Sequence, residues 1–462
     1  MPTINAWSWK HLRIVFILLS LILSLNILLS FCYPRTSYNI ESLKKADFYR
    51  PIFQEYLDTF PTLHQIQKKE TNKLEAIYDH CEKLWNGQAT DIQINSSINR
   101  KGHALEYLPR NMLDNCDDYF TRRLHFYNTE PVTEFEENFP IAFSLLVYHE
   151  FDQLEQMLLA LYRRQNFYCI HVDNSSSEQF KSLVSKLAKC FPENVIIPRH
   201  PTDIVYASAS QVRGELNCMI ELLAFSDKWK YLINLTGEEL PLMTNLELVT
   251  VLNKMKGSSL VDGPLSLDEH NRYPESKLPF GLKKFKSQTH VVYPYDAVMF
   301  LKENQNLTDT LLQFLEPYKY PEESFFALLQ FNHHIQFPGG LKKEWSETKL
   351  PVLTYETESN SYFLRYKNWA FQKNYKCLSK KKQRNLCMIG VRTLPELVNE
   401  FYGRQMFINK FPWSFEPFAW DCILSWNYRK VQTEYKTKKP ALLHYSFLDN
   451  PQLKFTRKYD DK

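Results

Sequence analysis

The chain has 462 residues, 44% of them apolar, which is enough for a sizeable core in one large or two ordinary domains. Its formal net charge of +4, from 56 basic against 52 acidic residues, is too mild for a dedicated nucleic-acid binder. Aromatic residues make up 15% of the chain; they can stack on sugars, although most aromatic side chains simply fill cores.

Residues 14–33 carry no charge and are long enough to span a bilayer as a helix. Lys10, His11 and Arg13 precede this run and Arg35 follows it. That flank predicts a cytosolic tail over residues 1–13, a signal-anchor over 14–33 and a luminal or external remainder, a single-pass type II arrangement. A cleaved signal peptide is the rival; its apolar region is normally shorter, and Ser30-Phe31-Cys32-Tyr33 lacks a small-residue cleavage site. Residues 34–135 read as a luminal stem, with charged helical segments such as 66–84 and no strand alternation.

Beyond Cys32 stand eight cysteines: Cys81, Cys116, Cys169, Cys190, Cys218, Cys377, Cys387 and Cys422. An even set in an oxidising compartment reads as a disulfide framework, whose pairing spacing alone leaves open. A metal site is the weaker reading, because there is no CxxC or HExxH and His333-His334 lack partners at ligand spacing. N-x-[ST] sequons occur at Asn95, Asn174, Asn234 and Asn306. Asn234 ends a predicted buried strand and Asn174 adjoins the candidate nucleotide site, so Asn95 and Asn306 are the expected surface acceptors.

The main domain is expected over residues 136–455. Phe143-Ser-Leu-Leu-Val147 is an apolar run of strand length, followed by a helix over 151–164 with Leu154, Leu158 and Leu161 inward. Gln165 to Val172 reads as a buried strand that ends on Asp173, and Ser176-Ser177-Glu178-Gln179 marks the next helix start. Phe180, Leu183, Val184, Leu187 and Ala188 then line one helical face. Val195-Ile196-Ile197 is a third strand, residues 208–224 a helix and Tyr231-Leu232-Ile233 a fourth strand. Strands that return through helices pair in parallel, which predicts an α/β, Rossmann-like sheet. A carboxylate at the carboxyl end of such a strand lies where a nucleotide binds. A doubly wound sheet without any nucleotide fits the same pattern.

An anchored luminal protein with this sheet suggests a glycosyltransferase, which must neutralise a diphosphate leaving group. No D-x-D pair is present for a divalent metal; Asp117-Asp118 are adjacent and lie in the stem. Fixed cations would then be required, and Arg384 and Lys410 are candidates, although ordinary surface cations look the same in sequence. In Pro321-Glu322-Glu323, acids in a helix first turn are commonplace. Functionally, one of them can act as general base on an acceptor hydroxyl.

These segments resemble the core-2/I-branching β-1,6-N-acetylglucosaminyltransferases across roughly residues 80 to 430. The resemblance is carried by Pro140 to Ser144, Gln165 to Asp173, Val205-Tyr206-Ala207-Ser208, Leu216 to Met219, Trp229 to Leu235, Thr244 to Glu247, Pro321-Glu322-Glu323, Trp369, Arg384 with Cys387, and Asn409-Lys410-Phe411. It implies a GT-A fold in a Golgi type II membrane protein that inverts at the anomeric carbon and needs no metal or other cofactor. It implies Leu146, Val147, Tyr148, Asp173 and Tyr206 around the uridine, Glu323 as base, Arg384 and Lys410 on the diphosphate, and Trp369 as an acceptor wall. It also implies the pairs Cys81–Cys422, Cys116–Cys190, Cys169–Cys218 and Cys377–Cys387. The partners expected are UDP-GlcNAc, a glycan or glycoprotein acceptor and the membrane, with room for a homo-oligomer and none for nucleic acid. The chain departs from the family pattern at Glu322, Ala209, Phe371 and Lys286 to Val291, and residues 260–284 match poorly. Two alternatives stand beside this reading: a peptide O-xylosyltransferase-like enzyme using UDP-xylose, and a catalytically silent glycan-binding membrane protein.

Overall fold

The structure is a computed structural model that describes residues 61–102, 108–123, 129–265, 278–352, 362–369, 376–399, 404–442 and 453–456. The apolar run 14–33 lies outside the described residues, and so does Phe371. Among the described residues no helix is long and apolar enough to cross a membrane.

Two helices open the described chain, α1 (Pro61–Trp85) and α2 (Asp91–Ile98). A capping box starts α2: the Thr90 hydroxyl accepts from the Gln93 amide, and the Gln93 side chain accepts from the Thr90 amide. Then come α3 (Cys116–Arg122), β1 (Ile141–Val147), α4 (Phe151–Leu161), β2 (Phe167–Val172), α5 (Glu178–Lys189), β3 (Val195–Ile196), α6 (Ala209–Phe225) and β4 (Tyr231–Thr236). The expected order of strands and helices is therefore present. The start of α5 is one residue later than a cap at Ser176 would give: Ser177 caps Phe180, while the Ser176 hydroxyl donates to the Tyr148 carbonyl.

The second half adds β5 (Leu240–Pro241), α7 (Asn245–Lys254), β6 (Leu260–Val261), β7 (Val291–Pro294), α8 (Tyr295–Glu303), α9 (Gln305–Leu315) and α10 (Glu322–Phe331). The short strands β8 (Arg365–Tyr366), β9 (Lys382–Gln383), β10 (Leu386–Cys387) and β11 (Phe407–Ile408) precede a last long helix, α11 (Pro417–Thr437).

Six strands form one sheet in the order β3-β2-β1-β4-β7-β6. β1 pairs in parallel with β2 and β4, with Phe143 opposite both Tyr168 and Ile233, and β7 runs antiparallel beside β4. The strands are buried on both faces, which explains runs such as Ile141–Val147 with almost no polar residue. Side chains alternate across the sheet. Phe143, Leu145, Tyr168 and Ile170 pack on one side with Leu154, Leu158 and Val184 of α4 and α5. Ala142, Cys169 and Leu232 face the other side with Val212, Leu216 and Met219 of α6 and Phe325 and Phe326 of α10. A separate three-stranded sheet, β5-β11-β8, sits over a third apolar cluster built from Ile77, Leu84, Trp85, Leu240, Trp413 and Trp420.

Residues 65–462 form a single unit, so α1 from Gln65 onward belongs with the sheet domain. Among the described residues there are four disulfides: Cys81–Cys422 ties α1 to α11, Cys116–Cys190 ties α3 to the end of α5, Cys169–Cys218 ties β2 to α6, and Cys377–Cys387 closes onto β10. These are the pairs the resemblance implies. Arg123, just past α3, adds an ion pair with buried Glu155 of α4 at 2.7 Å. Asn95 and Asn306 are exposed, and so is Asn174, whose side-chain amide donates to Asp203 at 2.8 Å. Asn234 is buried, with its amide on the Thr289 carbonyl.

Candidate active site

The carboxyl ends of β1, β2 and β4 converge on one edge of the sheet. At β1, Leu146 and Val147 lead to Tyr148, whose ring is 52% exposed. At β2, the Asp173 amide donates to the Val147 carbonyl at 2.9 Å, which sets the carboxylate beside Tyr148. Its Oδ1 accepts from the Ser175 amide and hydroxyl, both at 2.9 Å, and from the Ile204 amide at 3.3 Å. One carboxylate oxygen is thus consumed in fixing the loop, and Oδ2 remains for a ligand hydroxyl or amide. Beneath it, His171 accepts from the Thr202 amide at 3.1 Å; burial lowers the pKa of its imidazole, consistent with a neutral acceptor nitrogen. Gly214 of α6 lets Ile204 and Leu146 pack close to the helix, since a Cβ would lie 2.9 Å from Ile204 Cδ1 and 3.3 Å from Leu146 Cδ1 and would make those side-chain ends shift.

The loop after Ile204 carries Tyr206, 49% exposed. The Arg384 guanidinium carbon lies 3.5 Å from the centre of its ring, and Tyr320 meets the ring edge-on at 5.8 Å. Burial, followed by the hydrogen bond with Tyr320, pushes the Tyr206 hydroxyl up to about 12. The position of Arg384 comes from a hairpin turn. β9 and β10 are antiparallel, and the two residues between them, Arg384 and Asn385, take φ of 52° and 64°. Two successive left-handed residues make the tight turn whose twist suits a hairpin. Trp369 bridges Leu386 of the same hairpin, and the Cys387 amide donates to the Asn368 carbonyl at 2.8 Å.

Glu322 and Glu323 occupy the first turn of α10. Glu322 is buried, whereas Glu323 keeps 15% of its side chain exposed and pairs through Oε2 with Lys286 Nζ at 3.5 Å. The Tyr320 amide donates to the Ala207 carbonyl at 3.1 Å, joining the Tyr206 loop to the start of α10.

Lys410 follows β11 and forms an ion pair with Glu238. Burial pulls its ammonium down to about 8, so it is cationic at neutral pH. Under this pair lies a buried polar set centred on Glu239. Arg365 Nε donates to its Oε2 at 2.9 Å, and Asn409 donates to its Oε1 at 2.8 Å. His290 Nε2 lies 3.2 Å from the same Oε1; burial, with Arg365 and Lys367 nearby, pushes His290 well below its ordinary pKa, so the neutral ring donates. Arg365 also faces the Phe407 ring at 4.5 Å.

The structure therefore gathers Tyr206, Arg384, the hairpin beside Trp369 and the Glu322–Glu323 turn into one cluster, and Tyr148 with Asp173 into another. Lys410 is linked to the segment after the hairpin through its carbonyl, which accepts from the Ile389 amide at 2.9 Å. The two cations hold different partners, Tyr206 and Glu238. Sequence reasoning did not find Lys286, Glu238, Glu239, Arg365 or Lys367 as site residues. Glu238-Glu239 follows the buried strand β4 as Asp173 follows β2, so the same strand-end rule identifies it. Lys286 and Lys367 give no such signal, because their partners are distant in sequence. Among the described residues no group of three or more His, Cys, Asp or Glu is placed to hold a metal ion.

Residues 141–398 match the family model of the Core-2/I-Branching enzyme. A β-1,3-galactosyl-O-glycosyl-glycoprotein β-1,6-N-acetylglucosaminyltransferase of Bos taurus is 28% identical over 379 residues, covering 74% of this chain and 83% of the relative. The Mus musculus protein of that name numbered 4 is 29% identical over 429 residues, 88% of either chain. A Bovine herpesvirus 4 protein of the same name is 35% identical over a shorter 216 residues, 43% of this chain and 49% of the relative.

Proposed function

The chain belongs to the Core-2/I-branching enzyme family, and from that premise we propose that it is an inverting glycosyltransferase of GT-A fold. It moves N-acetylglucosamine from UDP-GlcNAc to the 6-hydroxyl of an O-glycan or related acceptor, forming a β-1,6 branch. The activity named for relatives that align over most of both chains supports this reading. The single observation that carries it is the cluster in which the Arg384 guanidinium lies on the Tyr206 ring and the Tyr206 loop is joined through Tyr320 to the acidic first turn of α10.

In this mechanism Glu323 takes the proton from the acceptor hydroxyl as that oxygen attacks the anomeric carbon from the face opposite UDP. The bond from the anomeric carbon to the diphosphate oxygen breaks in the same step, so an α-linked donor yields a β-linked product. Arg384 and Lys410 receive the charge on the departing diphosphate. Asp173, with Leu146, Val147, Tyr148 and Tyr206, holds the uridine, and Trp369 supports the acceptor sugar. Glycans attach at the exposed Asn95 and Asn306. The uncharged run 14–33 anchors the chain in the Golgi membrane with the catalytic unit luminal.

The test is release of UDP from UDP-GlcNAc and, in parallel, from UDP-xylose, with a β-1,3-galactosyl O-glycoside as acceptor. Turnover with UDP-GlcNAc that disappears in Glu323→Gln is the expected result; turnover with UDP-xylose alone transfers the chain to the other sugar. Turnover should also persist in EDTA, because the two fixed cations replace a metal. Arg384→Ala should cost on the order of 3 kcal/mol of transition-state stabilisation. A restored rate only on adding Mn²⁺ or Mg²⁺ would contradict the assignment of Arg384 and Lys410.

A further inference from the structure

The segment from Lys286 to His290 runs buried beneath the site: Lys286, Ser287, Gln288 and His290 are all 3% exposed or less. We propose that Lys286 is a positioning residue that holds the Glu323 carboxylate, through its Oε2, in the attitude from which it receives the acceptor proton. The proposal rests on the reading of Glu323 as the base.

Three observations support it. The Lys286 ammonium is 3.5 Å from Glu323 Oε2, and its side chain is 2% exposed against 15% for Glu323. A buried ammonium needs a carboxylate partner, because an unpaired charge there is costly. The exposed share of the pair belongs to the carboxylate, which is the member that must reach the acceptor. The backbone of the segment is also clamped on both sides. The Ser287 amide donates to the Glu323 carbonyl at 2.7 Å, the Leu265 amide donates to the Lys286 carbonyl at 2.7 Å, and the Gln288 amide donates to the Asp262 carbonyl at 2.8 Å. Gly263 allows this approach, since a Cβ there would lie 2.8 Å from Ser287 Cβ. Finally, a second buried lysine meets the same segment. Lys367 Nζ lies 3.0 Å from Gln288 Oε1, and the charge of Glu323 acts on it.

Lys286 keeps its protons throughout the transfer. The one proton that moves passes from the acceptor hydroxyl to Glu323, while the new bond to the anomeric carbon replaces the bond to the diphosphate. Lys286 acts by holding the base at its reacting angle, where a displacement of about 1 Å costs roughly 100-fold in rate.

The experiment compares wild type, Lys286→Met, Lys286→Arg and Glu323→Gln as full-length chains. It measures UDP release with UDP-GlcNAc and the β-1,3-galactosyl O-glycoside, and UDP affinity by calorimetry. Lys286→Met is expected to lower kcat roughly 10- to 100-fold, with UDP affinity unchanged within about twofold, and Lys286→Arg to recover most of the loss. Lys286→Gln replaces the Met variant should that one not fold, with the same selective fall in kcat expected. Wild-type kcat in either neutral variant overturns the proposal, as does a fall in kcat matched by loss of UDP binding. Undiminished turnover in Glu323→Gln instead removes the base reading itself, so the two failures are distinguishable.

Discussion

Glu215 of α6 shows how far a single buried group can depart from its solution behaviour. Its carboxyl meets Ser144 Oγ at 3.4 Å beneath β1, and burial pushes it up to about 8 from an ordinary 4.5. Between those two values the folded chain retains a proton that the unfolded chain has released. Stability contributed by this group is therefore complete below about pH 4.5 and declines as pH rises towards 8, by roughly 1.4 kcal/mol per unit. Glu215→Gln keeps a polar group of the same shape and removes the titration. Urea denaturation from pH 5 to pH 8.5 should give similar stabilities at the acid end and a variant more stable by on the order of 2–4 kcal/mol at the alkaline end. Parallel pH dependences for the two chains would mean that Glu215 is ionised in the fold. Asp173, by contrast, sits at a strand end with three donors on one oxygen, and that placement was visible in the apolar run that precedes it.

The β9–β10 hairpin places Arg384 by its turn and secures it by Cys377–Cys387. Closing so short a loop contributes on the order of 2–3 kcal/mol, concentrated in the hairpin. Replacing Cys377 and Cys387 by serine should weaken UDP binding roughly tenfold while the melting temperature changes little. Calorimetry with UDP beside a thermal melt checks both, and unchanged UDP affinity would detach the hairpin from the donor. The long strands β1, β2 and β4 were legible because each is an apolar run with a helix on either side. The hairpin was not, since strands of two residues carry no period and its turn contains no glycine. The Lys286 segment was read as a change in the acceptor region. The structure buries it, because Glu323 and Glu239, residues remote in sequence, supply partners for Lys286 and His290.

At the largest scale, residues 77–85 of α1 share a core with residues far along the chain. Ile77, Leu84 and Trp85 pack with Trp413 and Trp420, and Cys81–Cys422 fastens α1 to α11 across a sequence separation of 341. Serine at both positions should remove about 2–4 kcal/mol and lower the melting temperature by roughly 2–5 °C, while UDP affinity in the folded fraction is kept. A double variant that melts as wild type does would show that the apolar cluster alone holds the two helices together. The same bridge governs how the protein is made. Cys81 leaves the ribosome long before its mate, and Cys116, which belongs with Cys190, emerges next. Where the chain oxidises during synthesis, a Cys81–Cys116 pair can form before either mate has emerged, and thiol–disulfide exchange must then undo it before Cys81 can join the final helix.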